Sequence, residues 1–246
     1  MIAGILHTGS GIGNQLFRYV MTRVLALDKC CEFGMIYPEN WKGQSFMQLD
    51  MGVPVKNLEH EYIEKKVVNA QGIDVRDYDW EGILHIKDFT LVDGEFQGQK
   101  YFEHHLDKIR EWLKVEPLDL PDDLCIIGFR GGEYVGVKDL FLTKDYWDNA
   151  IEMMREINPN IRFEVHTDDP KEAQRFFPDF PIIHNVGINW RSVRYAKYLI
   201  IANSSFYILP ALLGDAKKII APKFWARRNI GVWALPYNEY TRFTHI

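Results

Sequence analysis

The chain has 246 residues, a net charge of −5 at neutral pH and an apolar fraction of 47%. This length allows one large domain or two small ones, and the apolar fraction is ample for a buried core. A net negative charge argues against nucleic-acid binding as the main task, because that function usually shows as a clustered basic surface. A sugar nucleotide or a similar small anion remains a possible ligand.

The cysteines and the amino-terminal residues indicate in which cellular compartment the protein is expected. The chain has three cysteines, Cys30, Cys31 and Cys125, whose odd number and lack of metal-ligand spacing argue against a disulfide framework. The first apolar run, Met1 to Leu6, is only strand length, so we expect no signal peptide and no membrane span. We therefore expect a cytoplasmic protein.

The first predicted elements are a strand at Ile2 to Leu6, a glycine-rich turn and a helix. The helix is indicated by apolar residues at helical spacing, namely Leu16, Val20, Val24 and Leu27. A loop that opens a helix is a natural anion site, because free N–H groups and the helix dipole meet there. However, Gly9, Gly11 and Gly13 lack the G-x-G-x-x-G spacing. Asn14 could be only a helix cap, and Arg18 only a solvated surface residue.

Residues from about 30 to 100 are less regular. We predict strands at Phe33 to Tyr37 and Ile83 to Ile86, and a helix from about Lys100 to Leu113. Asp77 and Asp79 match the Asp-x-Asp pattern that holds a divalent metal in some glycosyltransferases, but a solvated turn gives the same pattern. The proline-containing acidic run from 116 to 123 predicts a linker.

After the linker, strands and helices alternate, which predicts right-handed crossovers and a doubly wound parallel sheet. Asp169 before Pro170 predicts a helix start, and Gly214 a helix end. Pro210 conflicts with its helix, so we expect a kink or a late start there. The predicted strands are 125–129, 162–166, 181–184, 198–202 and 218–221, and the predicted helices are 145–157, 170–176, 191–197 and 206–213.

Three strand ends of this sheet carry polar groups. Arg130 follows the first strand and is succeeded by Gly131 and Gly132, which let the backbone approach an anion. His166, Asp168 and Asp169 follow the second strand, and Asn203, Ser204, Ser205 and Phe206 follow a third. Because parallel strands deliver their carboxyl ends to one edge, these groups are expected to converge on a ligand. A turn arginine and ordinary helix caps at Asp169, Ser204 or Ser205 are the alternatives.

Four segments in order resemble the alpha-1,2-fucosyltransferase family of inverting, GDP-fucose-dependent glycosyltransferases. The segment 11–19 is similar to the family's G-x-G-N-Q-x-F-x-Y motif, and 94–102 to its G-Y-F-Q-S-x-K-Y-F segment. Residues 127–135 fall where the family has H-x-R-R-G-D-Y. The pair 203–206 and 220–225 resembles the closing N-S-S-F and A-P-K-x-W motifs. The resemblance covers essentially the whole chain.

The resemblance implies a GT-B type fold of two Rossmann-like domains facing a cleft. It implies an acceptor-side domain at 1–118, a GDP-sugar-binding domain at 119–228, and a carboxyl-terminal segment, 229–246, that packs back on the first domain. Its partners would be a nucleotide sugar and a glycan acceptor, with no cofactor and no metal. It places Arg130 on the β-phosphate and Asp168 or Asp169 on the nucleoside. His166 and Phe206 join the donor-binding set, Ser204 and Ser205 line the diphosphate after Asn203, and Gly11, Gly13, Asn14 and Gln15 border the cleft.

Departures from the family pattern leave open which nucleotide sugar is the donor. The family's histidine is Gly128 here, its second arginine is Gly131 and its aspartate is Glu133. Glu133 is the first candidate and Asp139 the second for the base that deprotonates the acceptor hydroxyl, although both could be solvated loop acids. The alternatives are a transferase that uses another nucleotide sugar and a non-catalytic glycan- or nucleotide-binding module. The sequence does not indicate the acceptor or the oligomeric state.

Overall fold

The computed structural model describes residues 1–224, 227–232 and 240–246. The chain divides after Lys114 into a first unit, residues 1–114, and a second unit formed by the described residues from Val115 onward. The segment predicted as a linker is hydrogen-bonded to the second unit, because Arg191 donates to the carbonyls of Glu116 and Pro117, each at 2.8 Å.

The first unit is built on a four-stranded parallel sheet. Its strands are β1 (Ile2–Ile5), β2 (Phe33–Ile36), β3 (His60–Ile63), β4 (Lys66–Val68), β5 (Asp74–Arg76) and β6 (Thr90–Asp93), and its helices are α1 (Ile12–Asp28), α2 (Trp80–Leu84) and α3 (Leu106–Trp112). The sheet order is β2-β1-β6-β3, and β4 and β5 form a separate antiparallel pair. The carboxyl ends of β1 and β6 therefore lie side by side, next to the loop that opens α1.

Two predictions for the first unit are corrected. The strand predicted at Ile83 to Ile86 is wrong: Ile83 and Leu84 are the last residues of α2, which the Asp79 side chain caps by accepting a hydrogen bond from the Gly82 N–H at 3.1 Å. The helix predicted from Lys100 begins only at Leu106, after two turns of 3-10 helix at Gln99–Tyr101 and Glu103–His105.

The second unit is a six-stranded sheet in which every pair is parallel. Its strands are β7 (Leu124–Phe129), β8 (Arg162–Thr167), β9 (Ile182–Ile183), β10 (Tyr198–Ile201), β11 (Lys218–Ala221) and β12 (Thr244–His245), and its helices are α4 (Lys144–Ile157), α5 (Pro170–Phe176), α6 (Val186–Tyr195) and α7 (Ser205–Leu213). The order is β12-β11-β10-β7-β8-β9. The chain moves outward from β7 to β9 on one side and resumes at β10 on the other, so the topological switch point lies between β7 and β10.

Helices cover both faces of this sheet. On one face, the Phe129 ring packs against Trp147 of α4, with centroids 5.4 Å apart. On the other, the His166 ring contacts Asn189 of α6, and Tyr207 of α7 donates to the His166 carbonyl. The predicted α/β class is thus confirmed, and the parallel sheets are compatible with a Rossmann-like fold.

The helix boundaries follow from capping and burial. Asp169 caps α5 as predicted, accepting from the Glu172 N–H at 3.1 Å. Helix α7 begins at Ser205 and carries Pro210 inside it, so the late start is wrong. Residues Tyr207 to Leu213 are all buried, and their packing offsets the backbone hydrogen bond that proline removes.

The carboxyl-terminal residues differ from the prediction. Residues 240–246 belong to the second unit, where β12 pairs with β11, whereas the sequence prediction had this segment packing on the first domain. Residues 233–239 of that segment, and Trp225 of the closing motif, lie outside the described residues. Among the helices of the described residues, none is both long enough and apolar enough to cross a membrane.

Candidate functional site

The second unit brings three predicted groups to one edge of its sheet. Arg130 directly follows β7, Asp168 directly follows β8, and Asn203 follows β10 by one residue. These strands are neighbours and run parallel, so their carboxyl ends share an edge. This edge contains the switch point, which is where open α/β sheets bind ligands. We refer to Arg130, Asp168, Asp169 and Asn203 as the switch-point cluster.

Arg130 is held by two carboxylates. Its Nη1 lies 2.5 Å from Asp168 Oδ2, and its Nη2 donates to Glu133 Oε1 at 2.9 Å. Burial is the largest single influence on the guanidinium and would lower its pKa, but the Asp168 charge, the Tyr134 side chain and the Glu133 hydrogen bond act together to raise the pKa, so Arg130 is cationic. Its Nε is buried and has no hydrogen-bond partner among the described residues. Arg130 is thus an ordered cation with one unused donor.

Both glycines after Arg130 lie against the aspartates of the second strand. The Gly131 N–H donates to Asp168 Oδ1 at 3.0 Å, and the Gly132 N–H donates to Asp169 Oδ2 at 3.2 Å. A Cβ at Gly131 would lie 2.5 Å from the Asp169 Cβ, and Gly132 has a φ of +45°. The glycines are therefore required by the approach of the chain's own carboxylates. The N–H groups that an anion would use are already bonded to these carboxylates.

Asn203 supplies a second unused polar atom. Its Nδ2 donates to the Leu140 carbonyl at 2.8 Å, while Oδ1 is buried without a partner in the described structure. Buried polar atoms are nearly always hydrogen-bonded, so an exception beside a sheet edge calls for an explanation. A donor on Arg130 and an acceptor on Asn203, at two adjacent strand ends, are therefore polar atoms that the described residues leave unsatisfied.

The residues after Asn203 open α7. Ser204 occupies the N-cap position, as the capping alternative has it, but its hydroxyl makes no capping hydrogen bond in the described structure. Ser205 is the first helical residue. Phe206 packs against Trp190 of α6, with ring centroids 5.7 Å apart, which fixes the orientation of this helix start. The N-terminal end of α7 therefore points its backbone N–H groups at the switch-point edge.

His166 does not face a ligand. Its side chain is fully buried, with Nδ1 3.0 Å from Asn189 Oδ1 and Nε2 2.7 Å from Glu164 Oε1. Both ring nitrogens thus have protein partners. Although the sequence grouped His166 with the donor-binding residues, its position is that of a buried residue between the sheet and α6.

Tyr207 is a residue that the sequence analysis missed. Its hydroxyl donates to the carbonyls of Phe129 at 2.9 Å and His166 at 3.0 Å, and so bridges the ends of β7 and β8. Burial, together with the Asp168 charge, raises the pKa of Tyr207, so the phenol stays protonated as a donor. A Cβ at Gly128 would lie 2.9 Å from Tyr207 Cδ1. The tyrosine ring therefore fills the space that a side chain at 128 would need.

Each of the two predicted bases forms an ion pair with an arginine. Glu133 is 76% exposed and pairs with Arg130, as described above. Asp139 pairs with Arg227, whose Nη1 lies 3.0 Å from Asp139 Oδ2. Neither acid is buried, and among the described residues no second side chain orients either carboxylate.

In the first unit, the glycine-rich loop is braced by side chains of its own helix. Gln15 is fully buried, donating to the Asn40 carbonyl at 2.8 Å and accepting from the Lys42 N–H at 3.2 Å. Asn14 lies inside α1 and accepts from Gln97 at 2.9 Å, so it is not the helix cap. The N-cap is Gly11, which has open space beside it, while Gly13 is buried within the first turn. Of these four predicted residues, Gly11 is exposed and Asn14 half-exposed, while Gly13 and Gln15 are buried.

A second group that the sequence analysis missed lies at the carboxyl ends of β1 and β6. His7 Nε2 lies 3.1 and 3.2 Å from the two Asp93 oxygens, and Arg18 Nη1 bonds to the same carboxylate. Burial alone would raise the pKa of Asp93, but the His7 hydrogen bond and the Arg18 charge lower it. Arg18 is only 11% exposed, so it is not the solvated residue that we considered. The signal in the sequence was His7 at the end of a predicted strand.

Asp77 and Asp79 are each used within the fold. Asp77 Oδ2 lies 3.2 Å from Lys65 Nζ, and Asp79 caps α2 while accepting a long hydrogen bond from the Tyr62 hydroxyl at 3.4 Å. These contacts favour the structural alternative over a metal-binding triplet.

A scan of the chain against protein-family models finds no match, and a search of curated proteins finds no significant relative.

Proposed function

We propose that this chain is a glycosyltransferase that moves fucose from GDP-fucose to a glycan hydroxyl, in an alpha-1,2 linkage to a galactoside, with inversion and without a metal. The observation that carries the proposal is the pair of unused polar atoms at the switch point, Arg130 Nε and Asn203 Oδ1. A nucleoside diphosphate offers acceptors for the first and hydroxyl donors for the second.

Arg130 is proposed to stabilise the leaving diphosphate. Breaking the bond between the anomeric carbon and GDP builds negative charge on the phosphates, which a guanidinium and the N–H groups of α7 can meet without a metal. Arg130 would then exchange its contact with Asp168 for the phosphate oxygens. Asp168, still held by the Gly131 N–H, becomes an acceptor for ribose hydroxyls or a nucleobase edge.

His7 is the proposed base, in preference to Glu133 and Asp139. An imidazole fixed through Nε2 by a carboxylate keeps Nδ1 as the proton acceptor. No described residue bonds to His7 Nδ1, and the side chain is 41% exposed. This nitrogen is the proposed acceptor of the proton that the attacking hydroxyl loses.

The first unit is assigned to the acceptor and the second to the donor, as the two domains of a GT-B arrangement. The resemblance of the ordered motifs to alpha-1,2-fucosyltransferases supports this assignment, as do the parallel sheets of both units. The proposal for the donor rests on the residues after β7, β8 and β10, which all belong to the second unit.

A non-catalytic nucleotide- or glycan-binding module is the second candidate. One specific observation favours it: Arg130 pairs with two carboxylates, Glu133 and Asp168, and a third, Asp169, accepts from the nearby Gly132 N–H, so the edge carries more negative than positive charge. Like charges repel a diphosphate. The glycine at 131, in place of the family's second arginine, removes the cation that would offset this charge.

The test is GDP binding by calorimetry, followed by GDP release from GDP-fucose with a β-galactoside acceptor. We expect saturable GDP binding and acceptor-dependent turnover with an inverted product. Absence of GDP binding at millimolar concentrations would refute the proposal. Binding without turnover would favour the module, and turnover of a different sugar in a donor panel would correct the donor.

A further inference from the structure

Three metal-ligating side chains come together away from the switch-point edge, in the first unit. Asp28 is the last residue of α1, and His104 and His105 lie in the 3-10 turn before α3. His104 Nε2 lies 3.0 Å from Asp28 Oδ2, and His105 Nε2 lies 2.6 Å from Asp28 Oδ1. The imidazole centroids are 4.4 Å apart. One ligand atom from each side chain lies within 4.8 Å of the other two.

We propose that Asp28, His104 and His105 bind a divalent transition-metal ion, with Zn²⁺ as the best fit. Two imidazole nitrogens and one carboxylate oxygen form a donor set that Zn²⁺ accepts at about 2.0–2.2 Å. Mg²⁺ and Ca²⁺ prefer oxygen ligands throughout, so they fit this set poorly. Three protein ligands leave one tetrahedral position for water, which agrees with the partial exposure of all three side chains.

Both imidazoles already direct Nε2 at the same carboxylate, so binding needs little rearrangement. Without metal these nitrogens act as donors to Asp28; with metal, each Nε2 gives up its proton, its lone pair binds the ion, and the ring carries its proton on Nδ1. The ion would replace two hydrogen bonds by three coordination bonds. The ligand atoms already lie within 4.8 Å of one another and would adjust to the separations of a tetrahedral site.

The site would tie two segments of the first unit that are far apart in sequence. It joins the end of α1 to the beginning of α3, across 76 residues. Because α1 has 17 residues, Asp28 lies about 24 Å along the helix axis from the glycine-rich loop. The ion therefore serves the stability of the first unit, and the proposed transfer chemistry does not involve it.

The test is Zn²⁺ titration of the full chain by calorimetry, using protein without a histidine tag that has been freed of metal with a chelator. We expect one ion per chain, and at least tenfold weaker binding for His104→Ala, His105→Ala and Asp28→Asn. His85→Ala, an exposed histidine of the same unit, is the matched control and should bind like the parent. Zn²⁺ should raise the melting temperature of the parent but not of the three site variants.

The exposed Cys30 is the competing ligand, so Cys30→Ser belongs in the series. Zn²⁺ binding that is lost in Cys30→Ser but kept in His105→Ala would overturn the proposal. So would an absence of binding at millimolar Zn²⁺, or equal affinity in the parent and all three site variants. Circular dichroism of each variant checks that the fold is retained. If one of the two histidine variants does not fold, the other still tests the proposal.

Discussion

Replacing Arg130 with alanine tests the switch-point cluster most directly. The change removes the guanidinium that contacts Asp168 and Glu133 but leaves the backbone of β7 in place. Gly131 and Gly132 keep their hydrogen bonds to the aspartates. The substitution therefore removes the positive charge that we propose binds the diphosphate, while it keeps the geometry of the loop.

The expected magnitudes differ between stability and catalysis. Arg130 and Asp168 are 27% and 31% exposed, so the pair lies between a surface and a buried ion pair, and its loss should cost about 1–2 kcal/mol of unfolding free energy. A typical domain retains its fold after such a loss. Removing a charge-assisted contact to a leaving group costs about 3 kcal/mol of transition-state stabilisation, or roughly a hundredfold in rate. Activity should thus fall far more than stability.

The assay measures GDP affinity by calorimetry and kcat/KM for GDP release, beside the unfolding free energy in denaturant. Arg130→Lys should recover little activity, since one ammonium cannot reproduce the fork of a guanidinium on a diphosphate. Arg175→Ala removes an exposed arginine that pairs with Glu172 and serves as the control. If Arg130→Ala keeps parental GDP affinity and turnover, β7 does not hold the diphosphate and the assignment of the whole site is wrong.

Four further predictions follow from the described contacts. Gly131→Arg should destabilise the fold by about 1–3 kcal/mol without a gain in activity, since its Cβ has no room, whereas Gly136→Arg, in open space, should be nearly neutral in denaturant unfolding. His7→Asn should lower kcat with GDP affinity unchanged, and an equal loss in the control His60→Asn, an exposed histidine at the amino end of β3, would contradict the assignment. The His166 hydrogen bond lowers the pKa of Glu164. The ionised Glu164 therefore stabilises the fold above about pH 4.3, and this stabilisation is lost as the pH falls through the folded-state pKa. In Glu164→Gln, the free energy of unfolding should depend less steeply on pH in this acidic range. A chelator should leave turnover intact, and complete loss that manganese reverses would instead promote the Asp-x-Asp triplet.

Much of the second unit could be predicted because its local patterns agree with its packing. β7, β10 and β11 are buried apolar runs, and Asp169 before Pro170 marks a helix start wherever the chain places it. The first unit was harder. β3 reads His-Glu-Tyr-Ile, is mostly exposed and pairs only with β6, so no apolar run reveals it.

That Arg130, Asp168 and Asn203 lie at one edge of the sheet was predictable, because parallel strands place their carboxyl ends on the same side. The side-chain contacts at this edge were not predictable. The Arg130 contact with Asp168 spans 38 residues, and the His7 contact with Asp93 spans 86, so each depends on side-chain directions that only the folded structure sets. The metal-ligand set was missed for the same reason, since Asp28 lies far in sequence from the two histidines.

The contact between Gly128 and Tyr207 makes these positions mutually dependent during sequence change. A side chain at 128 collides with the phenol ring, and loss of the ring alone leaves a void together with two strand-end carbonyls deprived of their donor. A lineage or an engineer that seeks a histidine at 128 must therefore replace both residues together. Either substitution alone gives a less stable protein, so the two positions are epistatic. This dependence limits which side chains the switch-point edge can acquire by single substitutions.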